Sequence, residues 1–155
     1  MVLRDVLFSV FRDLFVERPA SGASLQELSD KLSTSGQTLS TRFGGIANRD
    51  ANREALRHII GIERWAQHRL RMFLGEPFLR DEYDGYRPPE AFSWNDLRDD
   101  FNQTRNETVA LAEQLKQQRV SEKARVTHND FGAVTAKGWL KYLLDHAQRE
   151  SMRIK

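Results

Sequence analysis

Residues 51–74 have the sequence ANREALRHIIGIERWAQHRLRMFL, and this stretch decides the predicted fold. Apolar residues return in it every three or four positions, which is the spacing of one face of an α-helix. Gly75 and Pro77 follow the pattern and end it, because glycine and proline commonly terminate helices. The sequence therefore predicts one long amphipathic helix. Its apolar stripe consists of Ala55, Leu56, Ile59, Ile62, Ala66, Leu70 and Phe73.

Three other segments carry the same helical periodicity. They span residues 2–16, 95–118 and 136–154. Pro19 is expected to end the segment 2–16, and Ser93 or Asn95 can cap the start of the segment 95–118. Four amphipathic helices in a chain of 155 residues predict an all-α protein, a four-helix bundle that forms a single domain over residues 1–155.

The stretches between these helices are less regular. Ser24 and Glu27 have the spacing of a capping box, so a short helix is expected to begin just after Ser24. Residues 33–36, with the sequence STSG, are expected to end that helix. Residues 119–135 allow a short β pair, but a loop is the favoured interpretation.

The composition excludes several classes of function. The sequence contains no cysteine, which excludes disulfides, a cysteine nucleophile, cysteine-ligated zinc and iron–sulfur clusters. It has no run of about 18 apolar residues, and charges interrupt its first residues, so neither a membrane span nor a secretory signal is expected. We therefore expect a cytoplasmic protein without a membrane partner.

The charges are nearly balanced and well mixed. The chain has 24 Lys and Arg residues against 22 Asp and Glu residues, which gives a formal net charge of +2. Nucleic-acid binding needs a clustered basic face, and the sequence has no long basic block. We therefore expect no nucleic-acid partner. The sequence also lacks a phosphate-binding glycine loop, a dinucleotide fingerprint and a nucleophile elbow.

A carboxylate interrupts the apolar stripe of the last predicted helix. This stripe runs through Leu143, Ala147, Glu150 and Ile154. The spacings of four, three and four place Glu150 on the face that points into the bundle. His146 lies four residues earlier, and side chains at that spacing stand about 5–6 Å apart on one face of a helix. Because a buried carboxylate is costly unless it meets a cation, the pair indicates two ligands for a metal ion.

His58 supplies a third candidate ligand. It lies on the flank of the apolar stripe in residues 51–74. Metal sites in helical bundles are built from side chains that project inward from facing helices. His58, His146 and Glu150 would give three ligands and leave coordination positions open, which is typical of a catalytic site. A metal ion in such a site makes bound water acidic enough to act as a nucleophile near neutral pH.

Ordinary ion pairs are an alternative explanation of the same residues. An inward Glu150 could pair with one of the arginines, for example Arg57 or Arg64. His58 could pair with Glu54, which lies four residues before it. In that case the polar side chains would only stabilise the interior of a bundle.

Other polar and aromatic residues complicate the choice of ligands. Glu63 lies near the apolar face of the helix predicted over residues 51–74, so it competes with Glu150 as the carboxylate ligand. His68 and His128 are expected on the surface or in loops. The aromatic residues within 78–94 could line a pocket at the mouth of the bundle, but covering the end of the core is the favoured interpretation.

Two segments resemble the DinB-like (YfiT-like) superfamily of four-helix proteins. Residues 56–65, LRHIIGIERW, are similar to a motif of its second helix, in which a histidine precedes an apolar run and then Glu-x-Trp. Residues 139–154, WLKYLLDHAQRESMRI, resemble its last helix. The resemblance covers about residues 51–154 and implies an up-down-down-up bundle with long connections.

The resemblance also implies a metal site. Members of the superfamily usually hold a divalent metal with three histidines, one from the second helix and two from the last. Carried over to this chain, the ligand positions are His58, His146 and Glu150, so a glutamate stands where the family has its third histidine. Glutamate also binds zinc or nickel, which are the ions implied here. Residues 19–48 do not match the family pattern.

The activity implied by the resemblance is that of a metal-dependent enzyme acting on a small-molecule substrate. Characterised members include thiol-dependent S-transferases and isomerases that use low-molecular-weight thiols such as bacillithiol or mycothiol. The metal would bind and activate the thiolate of such a cofactor. A metal-assisted hydrolase is the other enzymatic expectation.

A protein of another class is the alternative. The departure at Glu150 would suit a helical bundle that binds no metal and acts as a binding or dimerisation module. Phe8 and Phe11 lie outside the cleanest stripe of the first helix and could seed a homodimer, or they could pack against residues 24–48.

Overall fold

The structure, a computed structural model, describes residues 2–155. Its elements in chain order are α1 (Val2–Phe11), a π-helical turn (Arg12–Glu17), α2 (Arg18–Ser21), α3 (Leu25–Gly44), α4 (Asp50–Met72), a 3₁₀ turn (Tyr83–Tyr86), α5 (Trp94–Gln117), β1 (Arg125–His128), β2 (Gly132–Thr135) and α6 (Ala136–Ser151). Helices α3 to α6 form the bundle, so the all-α prediction is confirmed, with one small hairpin added. Within residues 2–155, no helix combines the length and the apolar character that a bilayer crossing requires.

Helix α4 confirms the prediction made from residues 51–74. Its stripe is buried from Leu56 to Leu70, and Phe73 is half-buried just beyond its end. The chain turns away at Gly75, whose φ of +106° lies in the left-handed region that glycine tolerates best. Helices α5 and α6 also begin and end close to their predicted positions.

Helix α3 begins at the predicted capping box. The Glu27 backbone N–H donates to Ser24 Oγ at 3.0 Å, and the Ser24 N–H donates to the Glu27 carboxylate at 2.8 Å. These two bonds satisfy backbone donors that a helix start otherwise leaves free.

The predicted break of α3 at residues 33–36 is wrong, because the helix continues to Gly44. Gly36 is buried, and a Cβ added to it would lie 2.6 Å from Arg105 Cγ of α5. The small residues therefore allow α5 to approach closely and do not end the helix. Sequence patterns cannot distinguish these two uses of serine and glycine without knowledge of the packing partner.

The first predicted helix is not one of the four bundle helices. Helix α3 takes that place, and α1 lies on the outside with Leu3 86% exposed and Leu7 70% exposed. Helical periodicity shows that a segment has an apolar face, but it does not show what covers that face.

Pro19 does not end the first helical segment as predicted. The backbone runs through a π-helical turn over Arg12–Glu17, and α2 starts at Arg18. The helical backbone therefore continues past Pro19 to Ser21, with the π-helical turn directly before α2.

Helices α3 and α5 are antiparallel neighbours. Lys116, near the end of α5, donates to the side chain of Gln26, near the start of α3. Arg98, near the start of α5, lies beside Gly44 at the end of α3. The chain therefore runs in opposite directions in these two helices.

Helices α4 and α5 run in the same direction. Arg64 of α4 bonds Asp100 of α5, and about one turn later Gln67 Nε2 donates to the Thr104 carbonyl at 2.7 Å. Both helices therefore run opposite to α3, and they are joined by the long connection that contains the 3₁₀ turn.

Helix α6 runs opposite to α4 and in the same direction as α3. Trp139, near the start of α6, packs edge-on against Trp65 in the second half of α4, with ring centroids 5.3 Å apart. Arg42, near the end of α3, donates to Ser151 Oγ at the end of α6 at 3.3 Å. The order of directions is up-down-down-up, as the family resemblance implies.

A short hairpin precedes α6, where a loop was the favoured expectation. Strands β1 and β2 pair antiparallel, and Gly132 at the start of β2 has a φ of +75°. The Trp139 indole N–H donates to the Val126 carbonyl at 3.1 Å, and Val134 is buried. Four paired residues are too few to produce a clear alternating pattern in the sequence.

A buried ion pair joins α4 to α5. Glu63 and Arg105 are 1% and 2% exposed, and Arg105 donates to the two carboxylate oxygens of Glu63 at 2.7 and 2.9 Å. Thr108 Oγ1 donates to the same carboxylate at 2.8 Å, and Arg105 also donates to the Leu32 carbonyl at 3.1 Å. Both charges are therefore satisfied, which is the condition for burying an ion pair.

Breaking this pair is expected to destabilise the fold strongly. We expect Arg105→Met to lower the free energy of unfolding by about 3–5 kcal/mol, because it leaves the Glu63 carboxylate buried without its cation. Urea unfolding measures the loss through the transition midpoint. The double variant Glu63→Leu/Arg105→Met removes both charges and should recover most of the stability.

The partly exposed pair Lys141–Asp145 on α6, 2.5 Å between Nζ and a carboxylate oxygen, provides the control. Lys141→Ala should cost less than about 1 kcal/mol, because exposed pairs are screened by water. Equal losses in Arg105→Met and Lys141→Ala would contradict the importance given to the buried pair.

Candidate metal centre

Two of the predicted ligands lie in direct contact between α4 and α6. The Nε2 atoms of His58 and His146 are 3.3 Å apart, and the ring centroids are 5.1 Å apart. Tyr83 packs edge-on against the His58 ring, and Tyr142 packs against the His146 ring. His146 is buried and His58 is half-buried, so the two imidazoles lie at the edge of the core.

Glu150 completes the group. It follows His146 by one turn of α6, and one ligand atom from each of the three residues lies within 4.8 Å of the others. We call His58, His146 and Glu150 the candidate cluster. The Glu150 carboxylate also lies 3.1 Å from an Arg153 nitrogen and 3.4 Å from Arg149 Nε. The structure therefore brings all three predicted ligands together and adds two arginines beside the carboxylate.

Arg57 and Arg64, the arginines named as examples of partners for Glu150, pair elsewhere, and Arg149 and Arg153 lie beside its carboxylate instead. Arg57 donates to the Glu54 carboxylate at 2.6 Å, and Arg64 bonds Asp100. The carboxylate proposed as a partner for His58 is thus engaged by an arginine. Glu63, the competing carboxylate, is engaged in the buried ion pair with α5.

Burial lowers the pKa of both imidazoles in the cluster. The pKa of His146 falls to about 3, first because burial disfavours the charged ring and then because His58 and Arg149 lie nearby. The pKa of His58 is also lowered, because burial outweighs the opposing attraction of Glu150 and because the Arg87 cation acts in the same direction as burial. Both rings are therefore neutral at pH 7, and neutral imidazole is the form that binds metals.

The two imidazole nitrogens have a separation that suits ligands of one divalent ion. Zinc–nitrogen bonds at the tetrahedral angle place two ligand nitrogens about 3.3 Å apart. The Nε2 atoms of His58 and His146 have that separation. A carboxylate oxygen, here from Glu150, is a ligand that zinc and nickel also accept. Three protein ligands leave one tetrahedral position for a substrate or for water.

Comparison with models of known protein families identifies the family to which the chain belongs. The family model of the DinB superfamily matches residues 47–149, which is 103 of the 155 residues. The chain belongs to the DinB superfamily. No curated protein and no solved structure matched it. The matched range contains His58 and His146 and ends one position before Glu150.

In this DinB-superfamily chain, a cleft of about 540 Å³ adjoins the candidate cluster. Tyr83 and Tyr142 line the cleft, and the same two tyrosines pack on the histidine rings. Trp65 and His128 form other parts of its wall. A larger cleft of about 660 Å³ lies elsewhere. His58, His146 and Glu150 line neither cleft, but only the smaller one is lined by the two tyrosines that pack on the histidine rings.

His128 is buried, so the expectation that it lies on the surface or in a loop is wrong. Its ring stacks on Phe131 at a centroid distance of 4.3 Å, and Nδ1 accepts the backbone N–H groups of Asp130 at 3.1 Å and Phe131 at 3.3 Å. Burial lowers the pKa of His128 to about 3, and the Arg69 cation adds to this effect. His68, the other histidine expected at the surface, is half-buried.

The sequence analysis missed a polar network beside the cleft. Arg69 is fully buried and donates to the Asp81 carboxylate at 2.7 Å and to the carbonyls of Leu79 at 2.9 Å and Thr127 at 3.2 Å. Although burial raises the pKa of Asp81, hydrogen bonds from Tyr86 and Arg69 hold it below its usual value. No spacing identifies Arg69 in the sequence, because its partners come from a loop and from the hairpin.

Acid is expected to destabilise the protein partly through His128. Between its ordinary pKa of 6.5 and its folded-state pKa of about 3, the unfolded chain binds a proton that the folded chain does not. The free energy of unfolding therefore falls as pH falls through this window, with a slope of about 1.4 kcal/mol per pH unit for one such group. We expect His128→Phe to lose that part of the slope, measured by urea unfolding at a series of pH values.

Trp139→Phe is the control for this measurement. Trp139 packs near the same ring, at a centroid distance of 5.1 Å from His128, but it does not titrate. The control should lower stability by a similar amount at every pH and keep the wild-type slope. An unchanged slope in His128→Phe would show that the imidazole is not held neutral by the fold.

Proposed function

We propose that this protein binds a divalent metal ion, zinc or nickel, through His58, His146 and Glu150. The observation that supports the proposal is the contact between two neutral imidazoles, with Nε2 atoms 3.3 Å apart and a carboxylate oxygen within 4.8 Å. Two neutral imidazoles in this contact can share only one hydrogen bond, whereas a metal ion would engage the lone pairs of both rings.

Glu150 gives the site a different charge from a site of three histidines. A carboxylate ligand partly neutralises a divalent ion, which a third imidazole would not do. Arg149 and Arg153 lie beside that carboxylate and supply positive charge at the rim of the site. We propose that these arginines favour an anionic group, such as a thiolate or a carboxylate, on the ligand that approaches the open position.

We propose that the protein is an enzyme, a thiol-dependent S-transferase or a metal-assisted hydrolase, that acts on a small molecule. When bound, a divalent ion supplies Lewis acidity that lowers the pKa of a thiol or a water molecule at its open position. The cleft of about 540 Å³ has the size of a small-molecule site. Burial raises the pKa of Tyr142, so its hydroxyl stays protonated and can donate to a bound substrate.

Metal uptake tests the proposed ligands. Protein produced without a histidine tag should contain about one zinc or nickel ion per chain by elemental analysis. Added zinc should stabilise metal-free protein, by about 2.7 kcal/mol at a hundredfold excess over the dissociation constant. His146→Ala should abolish uptake. His68→Ala removes a histidine of α4 outside the candidate cluster and should leave uptake unchanged.

Variants of Glu150 distinguish a ligand from an ion-pair partner. Glu150→His keeps a metal ligand at this position and should retain zinc binding. Glu150→Gln removes the charge and should weaken zinc binding at least about tenfold. Zinc affinity that is unchanged in both His146→Ala and Glu150→Gln would contradict the proposed site.

The absence of cysteine allows a direct test of the thiol-dependent activity. Cobalt(II) in place of zinc gives a strong near-ultraviolet charge-transfer band when a thiolate coordinates it. Because the chain has no cysteine, such a band can come only from an added thiol. We expect the band with a low-molecular-weight thiol and wild-type protein, and its loss in His58→Ala. A cobalt-loaded protein without this band would favour the hydrolase over the S-transferase.

One observation favours a second candidate function. Glu150 already has two arginine neighbours, which suits a bundle without metal that acts as a binding or dimerisation module. In that case chelator treatment would leave the melting temperature unchanged, while Glu150→Gln would lower it. The metal-binding proposal requires the chelator to lower the melting temperature.

Location and partners are part of the same proposal. We propose that residues 1–155 act as one domain in the cytoplasm, since a chain without cysteine suits a reducing compartment. Its near-neutral, well-mixed charge supports a small-molecule substrate rather than a nucleic acid.

A further inference from the structure

Helix α1 is held to the rest of the molecule by one face. Phe8 and Phe11 pack against Phe131 of the hairpin, with ring centroids 6.2 and 5.5 Å apart, respectively. Arg12 donates to the Phe131 carbonyl at 3.2 Å, and farther along Glu17 accepts the Thr135 backbone N–H at 2.8 Å. These contacts fix α1 in place beside the cleft, and Phe8 is part of the cleft wall.

The opposite face of α1 is apolar and exposed. Leu3, Leu7 and Val10 of α1 and Leu14 of the π-helical turn that follows are all at least 46% exposed. The spacings of four and three within α1 form a stripe along the helix, as in a helix–helix seam, and Leu14 extends the stripe into the π-helical turn. Val6 and Phe15 flank this stripe, as does the part of the Phe11 ring that does not contact Phe131, and all three residues are at least 40% exposed. We call these seven residues the outer stripe.

We propose that a second copy of this chain docks on the outer stripe, so that the two α1 helices pack against each other in a two-fold symmetric dimer. The proposal is independent of the metal site, because none of the three candidate ligands belongs to the stripe. It concerns the same helix that lines the cleft, so the partner copy would cover the helix face that points away from that cleft.

The area of the outer stripe supports a second copy as its occupant. Summed over their exposed fractions, the seven side chains present roughly 700 Å² of surface. A standard protein–protein interface buries about 800 Å² on each partner. A self-complementary contact that covered the whole outer stripe would therefore bury an area close to that of a standard interface.

The charges of the segment argue against a membrane surface as the occupant. Between Leu3 and Arg18 the segment carries equal numbers of cations and anions. The cations are Arg4, Arg12 and Arg18, and the anions are Asp5, Asp13 and Glu17. Helices that lie on membranes usually carry a surplus of lysine and arginine on the polar face, which attracts anionic lipids. A segment without net charge can pack against a second copy of itself without net repulsion.

Light scattering on the full chain tests the dimer. We expect wild-type protein at micromolar concentration to have twice the mass of one chain. Leu7→Glu, which places a charge in the centre of the outer stripe, should raise the dimer dissociation constant at least about 100-fold and give a monomer. Leu79 is 54% exposed on a loop outside α1, and Leu79→Glu should leave the dimer intact. A monomeric wild-type protein would overturn the proposal.

A single added cysteine provides a second measurement that does not depend on a disruptive charge. The chain has no cysteine of its own, so Leu7→Cys can form a disulfide only between copies. Mild oxidation should give a covalent dimer with Leu7→Cys and little with Leu79→Cys, although both leucines are more than half exposed. Equal cross-linking of the two variants would overturn the proposal. So would a monomer that sediments with phosphatidylcholine vesicles, because a lipid surface would then be the occupant.

Discussion

The antiparallel packing of α4 against α6 is the constraint on which the site depends. Trp65 packs edge-on against Trp139 near one end of the pair, and His58 meets His146 two turns away. The two contacts belong to the same antiparallel register, because His58 lies seven residues before Trp65 in α4 and His146 lies seven residues after Trp139 in α6. A shift of either helix by one turn would move the two imidazoles about 5.4 Å apart along the helix axis. Glu150 would then no longer lie close to both histidines.

Two inward carboxylates on neighbouring helices are used in different ways. Glu63 is fully buried, and its bonds with Arg105 and Thr108 satisfy its charge, so it holds α4 against α5. Glu150 lies at the edge of the core, and its arginine neighbours come from its own helix and from the turn that follows it. An arginine on an exposed part of the same helix can move away at little cost, whereas Arg105 cannot leave without exposing a buried charge. Glu150 is therefore the carboxylate that is available to a metal ion.

The sequence predicted what is encoded locally and failed where the answer depended on a distant partner. The stripe of α4 and the spacing from His146 to Glu150 follow from helix geometry alone, whereas the expectation that His58 joins them relied on the bundle architecture and on the family resemblance. The sequence could not show that α3, and not α1, is the fourth helix of the bundle. Both segments have an apolar face, and only packing decides which face is covered. Gly36 and His128 were misjudged for the same reason, since their partners are Arg105 of α5 and the aromatic residues around the hairpin.

The position of α1 connects association to the cleft. Its inner face is held mainly through Phe131, a residue of the hairpin turn that also stacks on His128 in the cleft wall. A helix fixed by so few contacts gains rigidity if its other face is covered, because burial of an apolar stripe opposes local unfolding. If two copies cover each other's outer stripe, dimerisation would also hold Phe8 in the cleft wall. Association would then affect the wall of the cleft without contributing any residue to the candidate cluster.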